Sequence, residues 1–240
     1  MLIKTRGIVL RAKKYSETSL ILDVYTEEKG MRGYLVSGVR TARAKISPSL
    51  VQVTSLLDLV AYHRDDRDLT RTKEIRPAYV YRQLPYDVVR SSVGLFVAEI
   101  ARKTLREAEP NAEVFRLIYG TLVHLDQTEE AVSNVHLLFL LHLSALLGFS
   151  PGGAYSAATP FFDLEGGMFV ADLVRSGNVL NETLSRHLSD LLHLSLENAH
   201  TLKLDRNTRS VLLERLLEFY RLHVAGLPEL HAHKILQTIF

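Results

Sequence analysis

Five runs of strand-forming residues follow one another within about the first 75 residues, joined by short connections. Ile8, Val9 and Leu10 lie between Arg6 and Arg11. Leu20, Leu22 and Val24 alternate with Ser19, Ile21 and Asp23, and Tyr34, Leu35 and Val36 follow a turn between Gly30 and Gly33. The segment Ser49–Arg64 reads as a fourth, long strand that can bend, and Leu69–Ile75 as a fifth, with its Thr, Arg and Lys facing outward. Period-two alternation broken by Gly, Ser and Lys is a strand signal. Five such strands, each expected antiparallel to its neighbours across short connections, predict a small closed barrel of the OB type. An SH3-like barrel is the alternative that the pattern alone leaves open.

Pro77 and Pro85 mark a break, and from Asp87 the apolar period becomes helical. Val88, Val89, Val93, Phe96, Val97, Ile100 and Ala101 form one stripe up to about Leu105. A second helix is expected from near Asn111, and a third over Val132–Leu147, apolar nearly all round and so central to its domain. Gly148 and Pro151 stop it. Pro151–Val179 reads as loop with a small hairpin at FFDLEGGMFV, after which helices resume over Glu182–Leu194 and Asp205–Val224. The fold expected is therefore α+β: a five-stranded OB-fold barrel over residues 1–80, then an all-helical domain over 81–240 with a metal-free hairpin insertion at about 151–179.

The net charge of +2 conceals an asymmetry. Residues 1–80 carry 15 Lys and Arg against 9 Asp and Glu, a net of +6; residues 81–240 carry 14 against 18, a net of −4. A basic barrel joined to an acidic remainder suggests that the barrel meets a polyanion. The cations fall at strand ends and in connections: Arg6, Arg11, Lys13, Lys14, Lys29, Arg32, Arg40, Arg43 and Lys45. Tyr15, Tyr34 and Tyr62 are candidates to stack bases, with barrel core or plain surface as the bland reading of each.

The stretches GIVL (Gly7–Leu10), YSETSLIL (Tyr15–Leu22), YTEEKG (Tyr25–Gly30), SGVR (Ser37–Arg40), LPYDV (Leu84–Val88), EPNAEVF (Glu109–Phe115) and LLGFSP (Leu146–Pro151) resemble the bacterial recombination mediator family RecO in their order and spacing. The resemblance covers nearly the whole chain. It implies an OB-fold followed by a helical domain, binding of single- and double-stranded DNA, annealing of complementary strands and help in loading recombinase. It also implies two protein partners, RecR and the acidic C-terminal tail of single-stranded DNA-binding protein. Such a tail needs an apolar pocket rimmed by cations, and Arg102, Lys103, Arg106 and Arg116 are candidates from charge alone. Many family members carry two Cys-x-x-Cys pairs after the position of Pro151, forming a zinc lobe. This chain has no cysteine, so those ligands are absent.

Nothing in the sequence points to catalysis. No phosphate-binding Gly-rich motif, nucleophile elbow or HExxH occurs, and the pairs His136/His142 and His187/His193 are each six apart, not the four that aligns two imidazoles on one helix face. No enzyme activity, cofactor or metal is expected. The N-terminus has no long apolar segment, and the most apolar run, Leu137–Phe149, is 13 residues, short of the roughly 20 needed to span a bilayer. A cytoplasmic, nucleoid-associated protein is the expectation. The alternative function is a non-catalytic adaptor whose barrel docks proteins rather than DNA.

Overall fold

A computed structural model of the chain describes residues 1–39, 46–62, 69–105, 109–172 and 177–240. Strands β1 (Leu2–Lys14), β2 (Leu20–Thr26), β3 (Gly30–Val36), β4 (Leu56–Tyr62) and β5 (Leu69–Pro77) close into a barrel in the order β1-β2-β3-β5-β4. Inward-facing Val9, Leu22, Val24, Tyr34, Val36, Leu57 and Leu59 fill it.

Two expectations about the strands need correction. The neighbours are not all antiparallel: β3 and β5 run parallel, with Gly33 beside Leu69 and Leu35 beside Arg71. The cause is topological. β4 returns antiparallel to β1 and β5 antiparallel to β4, so the strand that closes the barrel must run the way β3 runs. Nor is Ser49–Arg64 one strand. Pro48–Val51 forms a 3-10 turn opened by the Ser47 hydroxyl, which accepts from Ser49 N, and extended structure begins only at Leu56. Pro fits the first turn of a helix because its missing N–H has no partner there anyway.

β1 serves both sides of the barrel: residues from Leu2 to Ile8 pair with β4, and those from Gly7 to Lys14 with β2. Gly7 lies in both pairings. A Cβ there would stand 2.6 Å from Val24 Cγ1 and 3.0 Å from Leu59 Cδ1. Gly7→Ala is expected to destabilise the barrel by about 1–3 kcal/mol, the usual cost of overpacking, read as a lower midpoint in urea unfolding.

Helices α1 (Val88–Thr104) and α2 (Ala112–Gln127) follow. The Asp87 side chain caps the first by accepting from Arg90 N, and the Asn111 side chain accepts from Glu113 N and Val114 N at the start of the second. α3 (Val135–Leu146) is buried on almost every side, as its composition predicts. β6 (Phe161–Asp163) and β7 (Met168–Val170) form the expected hairpin, and β8 (Val179–Leu180) adds a third strand beside β6. α4 (Glu182–Leu192), α5 (Arg206–His223) and α6 (Ala232–Ile239) complete the chain.

The chain divides into two compact units, Met1–Asp126 and Gln127–Phe240. The first contains α1 and α2 as well as the barrel, and specific bonds explain the grouping. Tyr81 Oη donates to Thr54 O at 2.7 Å, and Tyr25 Oη to Asn111 O at 3.4 Å. The Arg90 guanidinium donates to Leu125 O at 2.6 Å, satisfying a carbonyl near the end of α2. In the second unit the hairpin rests on aromatic packing. Phe162 meets Phe169 and Phe219 edge-on, and His223 stacks on Phe149 while its Nε2 donates to Leu164 O.

Candidate nucleic-acid interface

Side chains directly opposite one another on neighbouring strands share a face. Lys13 lies opposite Ile21, Ile21 opposite Leu35, and Leu35 beside Arg71, so these four make one row across β1, β2, β3 and β5. Arg11, Asp23, Gly33 and Leu69 make the next row. Both lie on the outer face, because the intervening Leu22, Tyr34 and Val36 fill the core. Lys13, Arg71 and Lys73 are exposed, and Ile21 and Leu35 half-exposed.

Strand tilt keeps the row on one side of the barrel. Following the pairing onward, through Thr72 and Ala61, leads back to β1 at Ile3, some ten residues from Lys13. Strands this strongly staggered lie oblique to the barrel axis, so a row perpendicular to them climbs the barrel more than it encircles it. The result is an open face with cations on its two outer strands and a largely apolar floor between.

Among the described residues no ion pair involves Lys13, Lys14, Arg71 or Lys73. Arg11 pairs with Asp23 at 2.7 Å, but exposed pairs contribute only about 0–1 kcal/mol and yield readily to a phosphate. Lys14 lies opposite Leu20, on the other face of β1 from Lys13. Tyr15 is 62% exposed in the β1–β2 connection, where its N–H donates to Ser19 O.

Other residues expected on this surface are placed elsewhere. Arg6 makes a bidentate pair with Glu27 at 2.7 and 2.8 Å, and its guanidinium lies over the rings of Phe115 and Tyr119. The hydrogen bonds with Glu27 raise the Arg6 pKa and lower that of Glu27. Arg6 thus binds the barrel to α2. Lys29 sits half-buried in the turn at the far end of the β2–β3 hairpin from Lys13. Arg32 lies opposite Val24 on the inner side, with its Nε buried and lacking a hydrogen-bond partner. Tyr34 is a correction: it is fully buried in the barrel core and has no face to offer a base. Burial pushes its hydroxyl up to about 12, a shift that the neighbouring Arg32 cation opposes. Arg40, Arg43 and Lys45 lie outside the described residues.

The cluster expected to rim a peptide pocket does not assemble as a set of open cations. Lys103 is 7% exposed and bonds Glu99 at 2.7 Å, because Phe96, Ile100 and Lys103 share the buried side of α1. Arg116 pairs with Glu113, Arg102 is half-exposed, and Arg106 lies outside the described residues.

Strand alternation alone turns Arg71 and Lys73 outward without saying which strand they adjoin. Arg71's place beside β3 follows from the parallel pairing, which period-two alternation does not reveal; Lys73 lies beyond that pairing, at a bulge in β5.

Two family models match this chain: the one described as Recombination protein O N terminal over residues 1–81, and Recombination protein O C terminal over residues 85–231. The chain belongs to the RecO family. It is 33% identical to the DNA repair protein RecO of Phocaeicola vulgatus over 240 residues, and 32% identical to that of Bacteroides fragilis over 242. The RecO protein of Flavobacterium psychrophilum is 30% identical over 241 residues, and each alignment covers both chains in full. The fold agrees with the RecO expectation of an OB-type barrel followed by helices.

The zinc lobe of RecO relatives has no counterpart in donors here. The chain lacks cysteine, and among the described residues no three His, Asp or Glu converge. Asp163, in the hairpin, is occupied as an acceptor for Glu165 N and Gly166 N. Among the described residues no helix is long and apolar enough to cross a membrane.

Proposed function

We propose that this RecO-family chain binds single- and double-stranded DNA through the outer face of β1, β2, β3 and β5. It anneals complementary strands there and assists the loading of recombinase onto strands coated by single-stranded DNA-binding protein. The observation that carries this reading is the row Lys13–Ile21–Leu35–Arg71, an open strip with a cation at each end. Phosphate neutralisation needs cations that are not already engaged, and the two ends of this strip supply them. With Tyr34 in the core, the row from Lys13 to Arg71 contains no aromatic side chain, and Tyr15 is exposed only past its edge, beyond the end of β1. Binding would then rest on backbones and leave base edges free to pair, as annealing requires. Family membership supports RecR and the acidic tail of single-stranded DNA-binding protein as partners, and a cytoplasmic location at the nucleoid. It likewise supports a non-catalytic role.

The test is fluorescence anisotropy of a labelled oligonucleotide against the protein and its R11Q/K13Q/R71Q/K73Q variant, at several salt concentrations. Circular dichroism checks that both are folded. The variant is expected to bind at least tenfold more weakly at low salt. On single strands its slope of log affinity against log salt should be shallower by roughly 0.7 for each phosphate no longer neutralised. An unchanged slope removes this face as the DNA site.

A further inference from the structure

We infer that the face is a pair of phosphate rails, each gripping a different strand, and that annealing consists of bringing the two strands together across the floor between them. This rests on the proposed DNA face and specifies how it works.

The cations of the face occur on its outermost strands only: Arg11 and Lys13 on β1 and Arg71 on β5, with Lys73 exposed at the β5 bulge just beyond the β3 pairing. The two strands between contribute Ile21 and Leu35 to the row and no cation. β1 and β5 are three strand spacings apart along the row, roughly 14 Å at about 4.8 Å each. Bases facing the floor meet aliphatic side chains, which cannot hold them as an aromatic platform does. A single strand is therefore held best by running along one rail, where successive phosphates meet cations, and poorly by crossing between the two.

The separation suits two backbones. The minor groove of a duplex is about 6 Å wide between phosphate surfaces. Adding the phosphates themselves gives roughly 12 Å between facing phosphorus atoms, which Lys and Arg side chains on rails roughly 14 Å apart can span. Two strands on opposite rails have their mutual repulsion screened and their bases turned toward a common strip. Pairing them yields a duplex that both rails touch.

One strand spanning both rails and one strand on each rail differ in what a single rail does alone. If each rail takes its own strand, R11Q/K13Q or R71Q/K73Q leaves one rail intact. Each is expected to change single-strand affinity by less than threefold while slowing annealing of complementary oligonucleotides, followed by fluorescence energy transfer, at least tenfold. On duplex, each should make the salt slope shallower by roughly 0.9 for each phosphate no longer neutralised, since both rails touch it. Removing all four cations should abolish both activities. All four side chains are exposed, and a thermal melt checks each variant; if the four-site protein does not fold, the two single-rail variants decide alone. A single-rail variant that binds single strands as weakly as the four-site variant overturns the inference, because one strand then spans both rails. So does a single-rail variant that anneals at the full rate. Wild-type protein that does not speed annealing, or a four-site variant with unchanged DNA affinity, instead overturns the proposed function itself.

Discussion

Replacing Asp126 by alanine is expected to remove about 3–5 kcal/mol from the stability of the first unit, the cost of stranding several buried donors at once. The Asp126 carboxylate is almost fully buried and accepts from three consecutive backbone N–H groups, those of Arg82, Gln83 and Leu84, at 2.8–3.0 Å. Tyr79 Oη adds a fourth donor at 3.0 Å. Burial works against its ionisation, but the bonds from Leu84, Gln83, Arg82 and Tyr79 outweigh it and hold the pKa below the ordinary carboxylate value. One side chain at the end of α2 thus fastens the whole connection between β5 and α1. Asp126→Asn keeps one acceptor oxygen and should lose less than Asp126→Ala. Because the folded pKa is the lower one, this stabilisation is complete above the unfolded value near pH 4 and is lost as pH falls through the folded value. Urea unfolding by circular dichroism at pH 7 measures both variants. A loss under 1 kcal/mol for Asp126→Ala would show that other interactions hold the connection.

The second unit is expected to weaken in mild acid, before carboxylates titrate. His136 is buried in α3, stacked on the ring of Phe240 at 5.4 Å, and burial followed by the nearby Arg209 cation lowers its pKa to about 3. An unfolded histidine titrates near 6.5. Below that pH the unfolded chain binds a proton that the folded chain refuses, so stability is fully present above pH 6.5 and falls toward pH 3. The expected loss is about 1.4 kcal/mol per pH unit, or about 2 kcal/mol between pH 6.5 and 5. Burial also lowers the pKa of His142, which adds in the same direction. His136→Phe keeps an aromatic ring against Phe240 and removes the titration. Its stability should fall by about one proton's slope less than wild type over pH 6.5–5. Parallel pH profiles for the two proteins would mean that His136 is not the titrating group.

The two residues differ in how far local sequence is informative about them. Asp126 is a lone acid at a helix end, and nothing local distinguishes it from a solvated one; its role depends on residues 79–84 arriving at the same point. His136 sits in a run that is apolar nearly all round, and there burial is legible. Two further burials are written in periodicity. Tyr34 shares its strand parity with Val36, and Lys103 lies one turn from Ile100 and two from Phe96 on the buried side of α1.

The sequence by itself determined the two kinds of structure and their order. Alternation with period two and the helical period are local properties, and Pro77, Pro85, Gly148 and Pro151 interrupt them where the structure changes. It also determined that the first third is basic and that no cysteine-ligated metal is possible. The tertiary structure alone decided which cations share a surface. The pairing of β3 with β5 joins residues more than thirty positions apart, and no local preference encodes it. That pairing sets Arg71 in one row with Lys13 while Arg6 is drawn under α2 by Glu27, Phe115 and Tyr119. Charge is a property of composition, but a binding face is a property of register, and register is fixed only when the barrel closes.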